Sequence, residues 1–127
     1  MSRVIKTIEI EGQPAKALFD TGAFHSYLLR RYLEEIPDRF VPVARPYEVA
    51  LGRETFEVRE HALINGKIEG LDFNTMVAPV ERLRTEDGYC LDAIIGASTM
   101  NPWEIILNPG DRSLSLEGLK RRKFTEY

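Results

Sequence analysis

From Val4 to Leu116 the apolar residues recur at every second position in short bursts, each cut off by glycine, proline, asparagine or aspartate. A two-residue period suits a chain whose side chains alternate between two faces, so it points to β structure built from short strands. "VIKTIEI" sets Val4, Lys6, Ile8 and Ile10 on one face and Ile5, Thr7 and Glu9 on the other. "EGQP" reads as a turn, and Ala15 to Phe19 resume an extended course, which makes a hairpin that delivers Asp20 at its far end. "YEVALGRETFEV" alternates on both sides of Gly52 and Arg53 and reads as a second hairpin. In "HALINGKIEGLDF" the Asn65-Gly66 pair tolerates positive φ and marks a tight turn. "NTMVAPV" is a further strand, "ERLRTEDGY" a polar loop, and "EIILNPGDRSLSLEG" two strands around an Asn108-Pro109-Gly110-Asp111 turn.

One stretch breaks the period. Tyr27, Leu28, Leu29, Tyr32, Leu33 and Ile36 recur at helical spacing, with Ser26 placed to cap the start and Pro37 to stop the run, so a helix is expected over 27–36. "PDRFVPVARP" follows as loop, because its prolines deny hydrogen-bond donors to ladder and helix alike. "LDAIIGASTM" offers a short buried run that meets Gly96, then one helical turn interrupted by Pro102. The sum is a mostly β domain, a small closed barrel or a sandwich, with one or two short helices. At 127 residues the chain suits a single domain, and "KRRKFTEY" (120–127) reads as a charged, solvated tail.

Composition removes several function classes. With 43% hydrophobic and 29% charged residues the chain should fold as an ordinary globular domain. Seventeen Lys and Arg against 20 Asp and Glu give a formal charge of -3, which draws the chain toward neither nucleic acid nor an anionic membrane. Charges interrupt the N-terminal residues too often for a signal peptide, and no later run has the ~18 apolar residues of a membrane span, so a cytoplasmic setting is expected. One cysteine, Cys90, and two distant histidines, His25 and His61, offer no disulfide and no zinc spacing; neither a metal nor a cofactor is expected.

The stretch "AKALFDTGAFHS" carries the chemistry. A carboxylate at the end of a buried strand loses solvation and has to be supported by hydrogen bonds or opposite charge. Gly22 can supply an unusual backbone conformation and a close N–H, and Thr21 can bond into its surroundings, so the three residues make a rigid mount for Asp20. The same tripeptide also serves as a simple Asx turn.

Context favours the mount. Ala17-Leu18-Phe19-Asp20-Thr21-Gly22-Ala23 resembles the Asp-Thr/Ser-Gly motif of the retropepsin-like aspartic proteases, and "LDAIIGASTM" resembles the family's later aliphatic-aliphatic-Gly element through Ile94, Ile95 and Gly96. The hairpin tip Leu51, Gly52 and Arg53 stands where the family has its flap. The resemblance implies the acid-protease type of small closed barrel over residues 1–119, with 120–127 as the tail, and the helix over 27–36 as an insertion relative to the short retroviral form. It also implies a function: an endopeptidase in which two aspartates share one proton about a water. This chain supplies one Asp-Thr-Gly, so the second aspartate comes from an identical subunit, and the homodimer belongs to the mechanism. Asp20 is then catalytic. Thr21, Gly22, Ala23, Ile95 and Gly96 support it, and the partner is an extended peptide or protein substrate.

The flap tip carries one glycine, which leaves an alternative: a dimeric peptide-binding module of the same fold with weak or no turnover. The remaining polar residues read as structural. His25 suits a surface or helix-capping role, Cys90 a small buried position, Trp103 a core or dimer contact, and Asp92 the surface or the dimer seam. Ser98 and Thr99 lack the frame of a nucleophile elbow.

Overall fold

β1 (Arg3–Ile10) and β2 (Gln13–Asp20) form the first hairpin in full register, from Ile10 opposite Gln13 to Arg3 opposite Asp20, in a computed structural model that describes residues 3–126. The alternation in the sequence becomes burial: Val4, Ile8 and Ile10 of β1 are buried, while Thr7 and Glu9 are exposed. β2 is joined by β9 (Ala93–Ile95) in parallel, then by β3 (Tyr27–Leu29), β6 (Leu71–Val80), β5 (Glu54–Ile68) and β4 (Phe40–Leu51). The sheet is seven-stranded, and β1 returns to pair with β5 through Glu9 opposite Lys67 and Ile10 opposite Gly66. That return pairing closes every strand but β4 into a ring, and β4 runs outward as an edge.

Where β1 crosses β5, the turn expected at Asn65-Gly66 is absent: both residues lie inside β5, opposite Asn74 and Phe73. Gly66 is there because the strands approach closely. A Cβ would stand 2.6 Å from the Phe73 ring and 2.8 Å from the Glu9 carbonyl oxygen. The chain turns instead at Glu69 and Gly70, both at positive φ, between the paired Ile68 and Leu71. The hairpin about Gly52 and Arg53 forms as expected, closed by Leu51 opposite Glu54.

The expected helix over 27–36 is not formed. Tyr27–Leu29 is a strand buried between β9 and β6, followed by 3-10 turns at Arg30–Leu33 and Pro37–Arg39. A short apolar run covered on both faces looks the same to a helix and to a central strand, and here the neighbouring strands decided. Ser26 caps no helix; it is buried just before β3, where its carbonyl oxygen accepts the Ala78 N–H. The proline-rich stretch is likewise strand rather than loop from Phe40 on. β4 is an edge strand, and Pro42 and Pro46 fall in or beside the break in its pairing between Pro42 and Tyr47, where missing N–H groups cost no ladder bond. The polar loop after β6 contains a small hairpin of β7 (Thr85–Glu86) and β8 (Tyr89–Cys90), which leaves Cys90 exposed rather than buried.

α1 (Ala97–Trp103) follows β9 and keeps Pro102 within its last turn. The hairpin β10 (Ile106–Asn108) and β11 (Ser113–Ser115) turns at 109–112, one residue later than the expected Asn108–Asp111 turn because Asn108 still pairs with Ser113, and leads to α2 (Glu117–Arg121). Lys120 and Arg121 therefore complete a helix anchored by the fully buried Leu119 instead of opening the tail. Beyond it, Arg122 donates to the Asp72 carbonyl oxygen, and Phe124 stands edge-on to Trp103. No helix among the described residues is long and apolar enough to cross a membrane.

Two apolar clusters flank β2. Ala15, Ala17 and Phe19 face the main core with Ile10, Leu28, Ile64, Ile95 and Leu119, whereas Leu18 faces a second cluster with Tyr27, Val58, Val80 and Ile94. Each large aliphatic or aromatic side chain so buried contributes roughly 1.5–3 kcal/mol. Asp20 lies two residues beyond Leu18, and the strand period directs its carboxylate to that second side.

Candidate active site

β2 ends on Asp20, a residue only 6% exposed. Its Oδ1 accepts the Gly22 N–H at 2.8 Å, and its backbone carbonyl accepts the Ala23 N–H at 3.1 Å. Its Oδ2 lies 3.6 Å from Nε of Arg3, the residue opposite it in the β1–β2 register. The carboxylate is thus held by a turn on one side and faced by a cation on the other.

The loop that follows is fixed from below. Gly96 follows β9, and a Cβ there would meet the carbonyl oxygens of Phe24 and Ala23 at 2.7 and 2.8 Å, with that of His25 nearer still. Ala97 and Ser98, the first residues of α1, donate to the carbonyls of Ala23 and Phe24 at 2.8 and 2.7 Å. Ser26 Oγ accepts the Gly96 N–H at 3.0 Å and shares a hydrogen with Thr99 Oγ1 at 2.5 Å, and Thr99 in turn meets Thr75 at 2.6 Å. These hydroxyls are buried and satisfied, so loop, β9, α1 and β6 form one rigid block.

Above the carboxylate a cleft of about 430 Å³ separates Asp20, Gly22, Ala23 and Phe24 from the hairpin residues Val49, Ala50, Leu51 and Gly52. Ile94 and Tyr27 form the floor, and Arg3 and Arg84 stand on its wall. Glu86 joins the two guanidiniums, accepting Arg3 Nη1 at 2.7 Å and Arg84 Nε at 2.9 Å. The hydrogen bond from Arg84, assisted by the charge of Arg3 and opposed by desolvation, holds the Glu86 carboxyl below the ordinary carboxylate range.

His25 is neither a cap nor a plain surface residue. Its ring centroid lies 5.4 Å from that of Tyr47 and 6.5 Å from that of His61, and Tyr47 Oη is 2.7 Å from His61 Nε2. The cluster joins the loop after Asp20 to the base of the β4–β5 hairpin. Burial first, and then the neighbouring His25, lower the pKa of His61.

Of the residues named from the sequence, the structure brings Asp20, Gly22, Ala23, Leu51 and Gly52 onto one cleft. Thr21 is exposed on the turn, Gly96 packs under the loop, and Ile95 points into the main core, where it lies opposite Phe19 of β2. Arg53 occupies the hairpin turn outside the cleft lining. Arg3 was missed, although counting back from the Glu11-Gly12 turn sets it opposite Asp20. Arg84 had no such signal, because it belongs to a polar segment without period. Asp92, between β8 and β9, accepts the Lys16 N–H and pairs with Arg31, which ties β2 to the turn after β3. Trp103 packs against the main core and donates to the Asn74 carbonyl oxygen.

No protein-family model matches the chain, and no curated protein does. Among solved structures, the retroviral protease-like domain of Ddi1 from Leishmania major matches with a TM-score of 0.64 at 18% identity, over 92% of this chain and 90% of that one. A foamy viral protease-reverse transcriptase, solved in complex with an RNA/DNA hybrid, matches with a TM-score of 0.54 at 16% identity, over 81% of this chain and 12% of that longer one. Likeness at such identity speaks for the backbone arrangement. The chain has the fold of the retroviral protease-like domains, the retropepsin-like fold.

Proposed function

We propose that the chain is an aspartic endopeptidase that acts as a homodimer on extended peptide or protein segments with apolar residues at the cut. The observation that carries this reading is the placement of Asp20, a nearly buried carboxylate at a strand end, beneath a hairpin tip and beside an open cleft. One such carboxylate per chain cannot serve as both acid and base, so Asp20 of a second subunit completes the pair. One carboxylate takes the proton of a water as it attacks the peptide carbonyl, while the other holds a proton toward the carbonyl oxygen. Thr21 braces the pair across the twofold, and Gly22 and Ala23 border the scissile bond. The hairpin over Leu51, Gly52 and Arg53 lies along the peptide as an added strand.

A second reading, a peptide-binding module with little turnover, is favoured by one feature, the Arg3 guanidinium 3.6 Å from Asp20. That ion pair engages an oxygen of the one carboxylate that the reaction needs from each chain. Cleavage of a peptide library by the purified chain, compared with Asp20→Asn, separates the two. The amide keeps the shape of the carboxylate but cannot act as the base. Cleavage by the wild type that vanishes in the variant, with the fold retained, supports the peptidase; cleavage that survives in Asp20→Asn overturns it.

A further inference from the structure

Two guanidinium groups stand on the wall of the Asp20 cleft, and the donors of one of them are only partly used. Glu86 takes Arg3 Nη1 on Oε1 and Arg84 Nε on Oε2, and Arg3 Nε faces Asp20. Among the described residues the terminal nitrogens of Arg84 make no hydrogen bond, which leaves donors aimed from a half-buried side chain. Glu86 thus engages only Nε of Arg84, and the terminal nitrogens of that guanidinium can donate to a further carboxylate.

The location tells which carboxylate. Arg84 Cδ lies 3.8 Å from the point that a Cβ on Gly52 would occupy, so the stem of Arg84 passes beneath the hairpin tip that covers the cleft. Its head reaches the network that ends at Asp20. Apolar side chains share the lining: Phe24, itself 66% exposed, with Val49, Leu51 and Ile94. A peptide lying between hairpin and floor passes apolar surface and then the guanidiniums.

The geometry points to a subsite for an acidic side chain of the substrate, in which Arg84 is the specificity-determining residue and Glu86 holds Arg3 and Arg84 in position. The inference rests on the cleft being where peptide binds, and it narrows the substrate class to segments with Asp or Glu close to an apolar residue. Arg84 comes from the segment between β6 and β9 that also forms the β7–β8 hairpin, so the preference is a property of that segment rather than of the barrel.

The test uses fluorescent extended peptides with an apolar centre, made in pairs that carry Glu or Gln at one position in turn. Binding is measured to the Asp20→Asn chain, which cannot cut them, and to the same chain with Arg84→Gln or Arg84→Lys. A half-exposed guanidinium–carboxylate contact gives about a fivefold tighter binding of Glu over Gln at one position, shrinking with added salt. The ratio falls to about one in Arg84→Gln and is partly kept in Arg84→Lys. Equal binding of Glu and Gln peptides at every position, a preference that survives Arg84→Gln, or no binding of any peptide overturns the subsite. Cleavage of the same peptides by the wild type is scored apart. A wild type that binds with the Arg84-dependent preference yet never cuts leaves the subsite standing and removes the peptidase reading; one that cuts without discriminating Glu from Gln does the reverse.

Discussion

The α-carbon of Gly96 sits against the carbonyl oxygen of His25 so closely that no side chain fits between them. The obstacles around it are backbone atoms of residues 23–25, the loop that carries the carboxylate mount, and backbone cannot swing aside as a side-chain tip can. Gly96→Ala should therefore move the loop, costing about 1–3 kcal/mol of stability. The displacement falls on the residues directly after Gly22, so peptide cleavage should drop more than the stability loss accounts for. Thermal melts and kcat/KM on one preparation check both; a variant with wild-type melting and rate would show that the loop is not seated on Gly96.

A second expectation concerns the hydroxyl chain Ser26, Thr99 and Thr75 under the same loop. Thr99→Val keeps the shape but leaves Ser26 and Thr75 without their central partner in a buried setting. The cost should be about 1–3 kcal/mol, the usual range for a buried polar group left unsatisfied. Urea unfolding gives the number. A neutral result would mean that the two outer hydroxyls satisfy each other once the threonine is gone.

A third follows from His61. Its pKa is lowered from 6.5 by burial and by His25, so the unfolded chain binds this proton more readily than the folded one. The contribution to stability is fully present above the unfolded value and declines as pH falls below about 6.5. Tyr47 and His25 meet the ring from β4 and from the loop after Asp20, so protonation loosens the joint between hairpin and loop. Melting temperatures of wild type and His61→Gln, compared between about pH 8 and pH 5, should converge toward the acidic end. A constant difference across that range would remove His61 from the account.

How much of this was legible depended on whether the local pattern and the tertiary surroundings agreed. The β1–β2 hairpin and the hairpin about Gly52 were readable because alternation and turn chemistry pointed the same way. Tyr27 to Ile36 misled because β3 is paired at both edges, by β9 and β6, and covered on both faces, Leu28 by the main core and Tyr27 by the second cluster, so its unbroken apolar run imitates helical spacing. Asn65-Gly66 misled because the glycine answers a strand crossing with Glu9, a contact between residues far apart in sequence. The site divided in the same manner. Asp20 and its mount were local and visible, whereas Arg84 reaches the cleft only through the path of the β7–β8 segment.

The last prediction rests on the single Asp-Thr-Gly of each chain. If each subunit supplies half of the site, dilution below the dimer dissociation constant should lower specific activity, since a monomer holds one carboxylate where the reaction needs two. Mixing gives the sharper result. Wild-type chains equilibrated with an equal amount of Asp20→Asn chains, with subunit exchange shown independently, form heterodimers in which one aspartate faces one asparagine. An asparagine can neither take the water's proton nor lend one to the carbonyl oxygen, so those heterodimers should be inactive, and about a quarter of the dimers remain fully wild type under random pairing. Activity should fall to that fraction rather than to half. A linear dependence on the wild-type share would show that Asp20 works without its twin, and the two-subunit mechanism would have to be abandoned.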